Sequence, residues 1–166
     1  MWLLVRAATY ATLFVGTLLV FLPAQLLSRF GVTRSPEGGV RQVAGGVVTL
    51  AGAALAVACV LTFALVGRGT PAPFDPPRRL VVRGPYRAVR NPMYVGAILA
   101  LAGTALFYRS LPLLIYAGFF WLATHLLVVR YEEPTLRRTF GRDYENYRER
   151  VGRWWPKMPR RGKLAV

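Results

Sequence analysis

The sequence predicts an all-α integral membrane protein with about four transmembrane helices, an ordered cytosolic loop before the third and a C-terminal amphipathic helix. Three observations predict it. Apolar residues make up 54% of the 166-residue chain, and they gather into runs long enough to cross a bilayer. The formal net charge of +15 falls in the connections and the C-terminal part. Basic residues flank membrane spans in that way, whereas a nucleic-acid-binding domain would cluster them on one face. Small residues recur four apart in the second run, the spacing at which membrane helices approach closely. The length fits one domain, here a single membrane domain over 1–166.

In chain order, the first span is expected over about 2–27, with Arg6 near its start able to snorkel to the interface. It is longer than a signal h-region and lacks a small-x-small cleavage site, so it reads as a retained span. Gly31, Pro36, Gly38 and Gly39 make the next connection unsuited to helix. The second span covers about 43–66, where Gly52 and Ala56 share a helix face, as do Ala54 and Ala58. Cys59, the sole cysteine, has no partner for an intrachain disulfide and reads as a small hydrophobe. Four prolines in 67–77 exclude helix and regular strand there.

Span three is expected over 93–107, behind Pro92, which suits a first helical turn. Tyr108–Ser110 leaves room only for a tight turn, and span four follows over 111–129. Beyond Pro134, the residues Leu136, Phe140, Tyr144, Tyr147 and Val151 recur at helical spacing. They predict an amphipathic helix over 133–151, lying in the interface or packing back on the loop. Trp154 and Trp155 resemble interfacial anchors, and 157–166 resembles a basic tail.

Orientation follows from the basic residues. Six lie in 68–92 and eleven from Arg130 onward, against Arg29, Arg34 and Arg41 in the first connection. With four spans the two richer regions share a side, which should be cytosolic and carry both termini. The same regions should meet anionic headgroups of the bilayer. No phosphate loop, dinucleotide fingerprint or nucleophile elbow occurs, and no nucleic acid or metal is expected as a partner.

The polar chemistry is concentrated in two places. Arg78–Tyr94 (RRLVVRGPYRAVRNPMY) interleaves five arginines with aliphatic and aromatic residues, and Pro85 and Pro92 hold Gly84 and Asn91 out of helical geometry. An ordered loop that turns twice is expected. Arg130-Tyr131-Glu132-Glu133-Pro134 follows the last apolar run. The two clusters should meet on one side of the membrane as a single site. For Glu132 and Glu133 two readings stand together. Carboxylates are favoured at a helix N-terminus, and one of them can receive a ligand ammonium or pair with the loop arginines. His125, the only histidine, should be hydrogen-bonded to a neighbouring helix. It lies seven residues before Glu132, on a similar helix face, so a place lining the site stays open to it. Tyr86 and Tyr94 can offer ring faces to a cation or serve as interfacial anchors.

GPYRAVRNPMYVG (84–96), a helical hairpin, and then EEPTLRRTFGRDYENYRERV (132–151) together resemble the isoprenylcysteine carboxyl methyltransferase and phospholipid methyltransferase superfamily. The similarity covers about half of the chain, with two separated motifs agreeing in order and spacing. The resemblance implies an integral membrane methyltransferase using S-adenosyl-L-methionine bound on the cytosolic side, with a lipophilic acceptor: a prenylcysteine-like carboxylate, a phospholipid amine or another small lipid. Carried over residue by residue, it implies cofactor contacts from Arg78, Arg79, Leu80, Val81, Tyr86, Asn91, Pro92, Met93, Tyr94 and Glu132. Relatives often carry histidine where this chain has Asn91, which can still donate and accept hydrogen bonds. Carboxyl-methylating relatives place an arginine where this chain has Val128, and the nearest arginine is Arg130, which could orient an anionic acceptor. The competing reading is a non-catalytic membrane protein that binds anionic lipid or a partner through its basic face.

Overall fold

A computed structural model of the chain describes residues 15–32, 38–67 and 79–157. The start of the expected first span, Arg78, most of the proline-rich 67–77 stretch and the tail beyond Lys157 lie outside them. The described residues form helices α1 (Leu22–Arg29), α2 (Val40–Thr62), α3 (Pro92–Tyr108), α4 (Leu111–Leu127) and α5 (Glu133–Arg150). A short 3-10 turn, Gly84–Arg87, sits in the loop before α3. There is no strand among the described residues, only an isolated bridge between Val89 and Gly152. Two helices are long and apolar enough to cross a membrane: α2, and the continuous run from α4 into α5; α3 is apolar but shorter.

α2 and α3 pack through a seam of glycines. A Cβ on Gly52 would lie 2.5 Å from the Ala100 backbone nitrogen, and one on Gly103 would lie 2.5 Å from that of Thr49. The absent side chains let the two backbones approach to a distance that van der Waals packing between membrane helices rewards. The four-apart spacing of Gly52 and Ala56 therefore marks a helix interface, with Ala56 meeting Gly96 across it. α3 ends on Arg109 in the left-handed conformation. Ser110 then caps α4 by accepting from the Leu113 amide at 3.3 Å, so α3 and α4 form a tight hairpin. Leu101, Ala105, Leu113, Ala117 and Phe120 make its core, with Leu26 and Leu27 of α1 against it.

The structure departs from the sequence expectation at the Arg130–Pro134 cluster. No break separates the fourth apolar run from the amphipathic helix: the helix passes through the cluster as a π turn, Val128–Glu132. Pro134 supplies a physical reason. A proline inside a helix has no N–H for the carbonyl four residues back, here Arg130, and its ring collides with that carbonyl. Widening the turn relieves the collision. The same pairing recurs upstream, where the π turn Gly16–Phe21 precedes Pro23. α5 loses helical geometry once, at Gly141, whose φ is 51°.

Gly45 and Gly46 are adjacent on α2 and should respond oppositely to the same substitution. Gly45→Ala puts a methyl 2.6 Å from the Phe107 nitrogen and should cost about 1–3 kcal/mol through overpacking. A Cβ on Gly46 meets nothing within 4 Å, so Gly46→Ala should stay within about 0.5 kcal/mol. Reversible unfolding in detergent micelles reads both, and equal costs would refute the seam.

Candidate functional site

The loop reaches its place by packing on α2 and α5. Val81 and Tyr86 bury themselves against Cys59, with Leu55, Phe63 and Met93 around them. Leu80 packs instead on the face of α5 made by Leu136, Phe140, Tyr144 and Tyr147. The amphipathic face read from the sequence thus folds back on the loop. The Tyr147 hydroxyl donates to the Tyr86 carbonyl at 2.7 Å, which fixes the turn from both sides. Gly84 adopts φ 56° at its start, a conformation that glycine takes without penalty.

The two expected clusters meet, and the two glutamates divide the partners between them. Tyr94, in the first turn of α3, donates its hydroxyl to the Glu132 carboxylate. Glu133, 5% exposed, receives Arg90 of the loop at 3.0 Å. It also receives a two-pronged contact from Arg153, with Nε at 2.6 Å and the terminal nitrogen at 2.9 Å. Such a fork is the strong geometry for an arginine–carboxylate pair. Among the described residues no arginine or lysine forms an ion pair with Glu132.

The π turn explains the division. An α-helix would bring residue 132 round to the face of His125, but an i→i+5 turn takes up about one extra residue and brings 133 there. The partners follow. The Trp154 indole donates to Nδ1 of His125 at 3.1 Å, beside Arg153 on Glu133, while Glu132 turns to Tyr94. His125 is therefore held by the segment after α5, not by a neighbouring helix, and its Nδ1 carries a lone pair with the ring proton on Nε2.

The same segment closes on the loop. The Arg90 amide donates to the Gly152 carbonyl at 2.8 Å, and the Asn91 side-chain amide donates to the Arg153 carbonyl at 3.3 Å. Any side chain at Gly152 would run into the Trp155 carbonyl. Trp155 is exposed, whereas Trp154 is half-buried on His125.

The sequence pattern did not single out Arg153, which sits between the end of the amphipathic helix and the two tryptophans read as interfacial anchors. Arg90, grouped there with the arginines for headgroup contact, is instead buried in the ion pair. Of the other expected contact residues, Val81, Tyr86, Pro92 and Tyr94 are buried, Leu80, Asn91 and Met93 are half-buried, and Arg79 and Arg130 are exposed.

The electrostatics separate the carboxylates further. Burial raises Glu132 above the ordinary carboxylate range, and the neighbouring charge of Glu133 adds to this; the Tyr94 hydrogen bond only partly offsets it. Burial also pushes Glu133 up, but the Arg153 hydrogen bond and the charges of Arg90 and Arg153 outweigh it and leave its carboxyl lowered. Burial and the nearby Cys59, Tyr147 and Glu132 keep Tyr86 a neutral phenol.

The signs for stability are opposite. A lowered carboxyl stabilises the fold above its unfolded value of about 4.5, and that contribution disappears as pH falls below it. A raised one opposes folding once pH exceeds about 4.5, where the unfolded chain ionises first. Glu133→Gln should therefore cost about 3 kcal/mol at pH 7, as breaking a buried pair does, and progressively less as pH falls below about 4.5. Glu132→Gln should instead stabilise the protein at pH 7. Melting curves across pH 3–7 test both signs.

Residues 40–143 match the family described as phospholipid methyltransferase. Neither a curated protein nor a solved structure matches the chain.

Proposed function

The chain belongs to the phospholipid methyltransferase family, within the superfamily that also holds the isoprenylcysteine methyltransferases, and we propose that it moves a methyl group from S-adenosyl-L-methionine to a lipid acceptor. The observation that carries this reading is the pair of glutamates. Glu133 is compensated by two arginines, while Glu132, one residue away and half-buried, accepts only the Tyr94 hydroxyl among the described residues. A carboxylate partly withdrawn from water is costly to leave without a cation, and an ammonium group in the ligand removes that cost. The chemistry of the donors fits the cofactor: a carboxylate for its ammonium, aromatic rings for a sulfonium and loop backbone between them.

Arg79, Leu80, Val81, Tyr86, Asn91, Pro92, Met93, Tyr94 and Glu132 would hold it, with Arg78 adjoining them in sequence. When bound, S-adenosyl-L-methionine supplies an electrophilic methyl on a sulfonium. The protein's share is alignment and exclusion of water. Tyr94 orients Glu132, and the apolar packing of Val81 and Tyr86 keeps that side of the site dry.

The acceptor reading rests on Val128. Carboxyl-methylating relatives carry an arginine at this place, but here the position is a buried valine, 1% exposed. A position that offers a carboxylate no cation favours a phospholipid amine over a prenylcysteine carboxylate. Arg130, exposed two residues on, is then available to the phosphate of such a lipid. In this reading four spans cross the bilayer, both termini and the site are cytosolic, and the exposed Arg79, Arg83, Arg87 and Arg138 meet anionic headgroups. A purely lipid-binding, non-catalytic protein would have no use for a half-buried carboxylate that no cation among the described residues meets.

Calorimetry of the purified chain should show saturable binding of S-adenosylhomocysteine, weakened about 10–100-fold in Glu132→Gln by loss of a charge-assisted contact. Mass spectrometry should detect a labelled methyl on an aminophospholipid after incubation with isotope-labelled S-adenosyl-L-methionine. Absence of saturable binding by the unaltered chain would sink the reading.

A further inference from the structure

The segment after α5, Val151–Lys157, lies beyond the residues matched to the family, yet it is tied to the loop that opens α3 by side chain and backbone together. We propose that Arg153 and Glu133 are positioning residues: they clamp this segment across the loop, so that the chain beyond the last helix completes the site without touching the ligand. Glu133 is the centre of the clamp. It is the shared acceptor for Arg90, from the loop, and Arg153, from the segment.

The two arginines contribute unequally. Arg90 reaches Glu133 through one terminal nitrogen, which also donates to the Tyr144 hydroxyl at 3.1 Å. Its Nε is buried without a partner among the described residues. Arg153 engages both carboxylate oxygens, so it fixes the carboxylate's orientation and Arg90 follows.

The backbone transmits this hold. With Arg153 on Glu133, the Gly152 carbonyl meets the Arg90 amide and the Arg153 carbonyl meets the Asn91 side chain. Arg90 and Asn91 are the last residues before α3, whose third residue is Tyr94, the partner of Glu132. Through the clamp, Arg153 sets where Tyr94 and Asn91 stand relative to Glu132. Trp154 on His125 pins the segment on its other side.

The clamp itself follows from geometry; only its effect on ligand affinity rests on the methyltransferase reading, so the test has two arms. Arg153→Met and Arg153→Lys are made in the full chain, and hydrogen exchange of the Arg90 amide is followed alongside the α2 and α3 amides. Arg153→Met should speed exchange at Arg90 about tenfold while the helix amides keep the unaltered rates. Lysine should restore part of the protection, since it keeps the charge but not the fork. In the second arm, affinity for S-adenosylhomocysteine should fall about tenfold in Arg153→Met, within the range that small misplacement of a site produces, with partial recovery in Arg153→Lys.

Unchanged exchange at Arg90 would overturn the clamp. Uniform acceleration through α2 and α3 would overturn it too, in favour of a general structural role. If the unaltered chain binds no S-adenosylhomocysteine, the methyltransferase reading fails, and the exchange arm still decides the clamp.

Discussion

A carboxylate at the edge of an apolar helix bundle must find a cation or lose its charge, and the arrangement around Glu133 follows from that requirement. One buried side chain gathers an arginine from the loop before α3 and another from the segment after α5. Each arrives with its backbone already engaged, Arg90 on Gly152 and Arg153 on Asn91. The pairing joins Arg90 and Arg153, which lie 63 residues apart in sequence. It also leaves the adjacent Glu132 as the carboxylate with chemistry to spare.

The separation of roles depends on helix geometry as much as on charge. Adjacent residues on a regular helix already point about 100° apart. The π turn ahead of Pro134 then shifts the whole face by about one residue, which sends Glu133 to the C-terminal segment and Glu132 to Tyr94. A proline that looks from the sequence like the opening of a new helix acts within a continuous one. Its missing N–H and the bulk of its ring are absorbed by the wider turn.

Much of this was legible in the residues, and the reasons for the remainder are physical. Helix–helix contact between α2 and α3 follows from glycine and alanine spacing because close approach needs small side chains at helical intervals. The meeting of the loop with the glutamates follows from both lying at the same ends of spans. The face of Leu136, Phe140, Tyr144, Tyr147 and Val151 was visible as periodicity, though its partner, Leu80, was not. Periodicity also assigned His125 and Glu132 to one face, because a pattern count assumes 3.6 residues per turn and cannot register a π turn. Arg153 escaped notice for another reason: one arginine among many carries no signal until the fold shows which carboxylate it meets. The structure also moved Arg90 from the surface to the interior, a distinction that charge counting along the chain does not make.

The unbroken passage of α4 into α5 bears on membrane thickness. From Leu111 to Glu132 the helix rises roughly 32 Å at about 1.5 Å per residue, close to the roughly 30 Å of hydrocarbon in a typical bilayer. In the four-span reading proposed above, the glutamates stand at the far boundary of the oily layer, at the end of a helix long and apolar enough to cross it. A thicker bilayer draws this rod upright, and a thinner one tilts it. A tilt of about 20° then moves the end of such a rod by about 2 Å along the membrane normal. In that reading lipid composition acts on the depth of the glutamates through the tilt of one continuous helix, before any lipid meets a side chain.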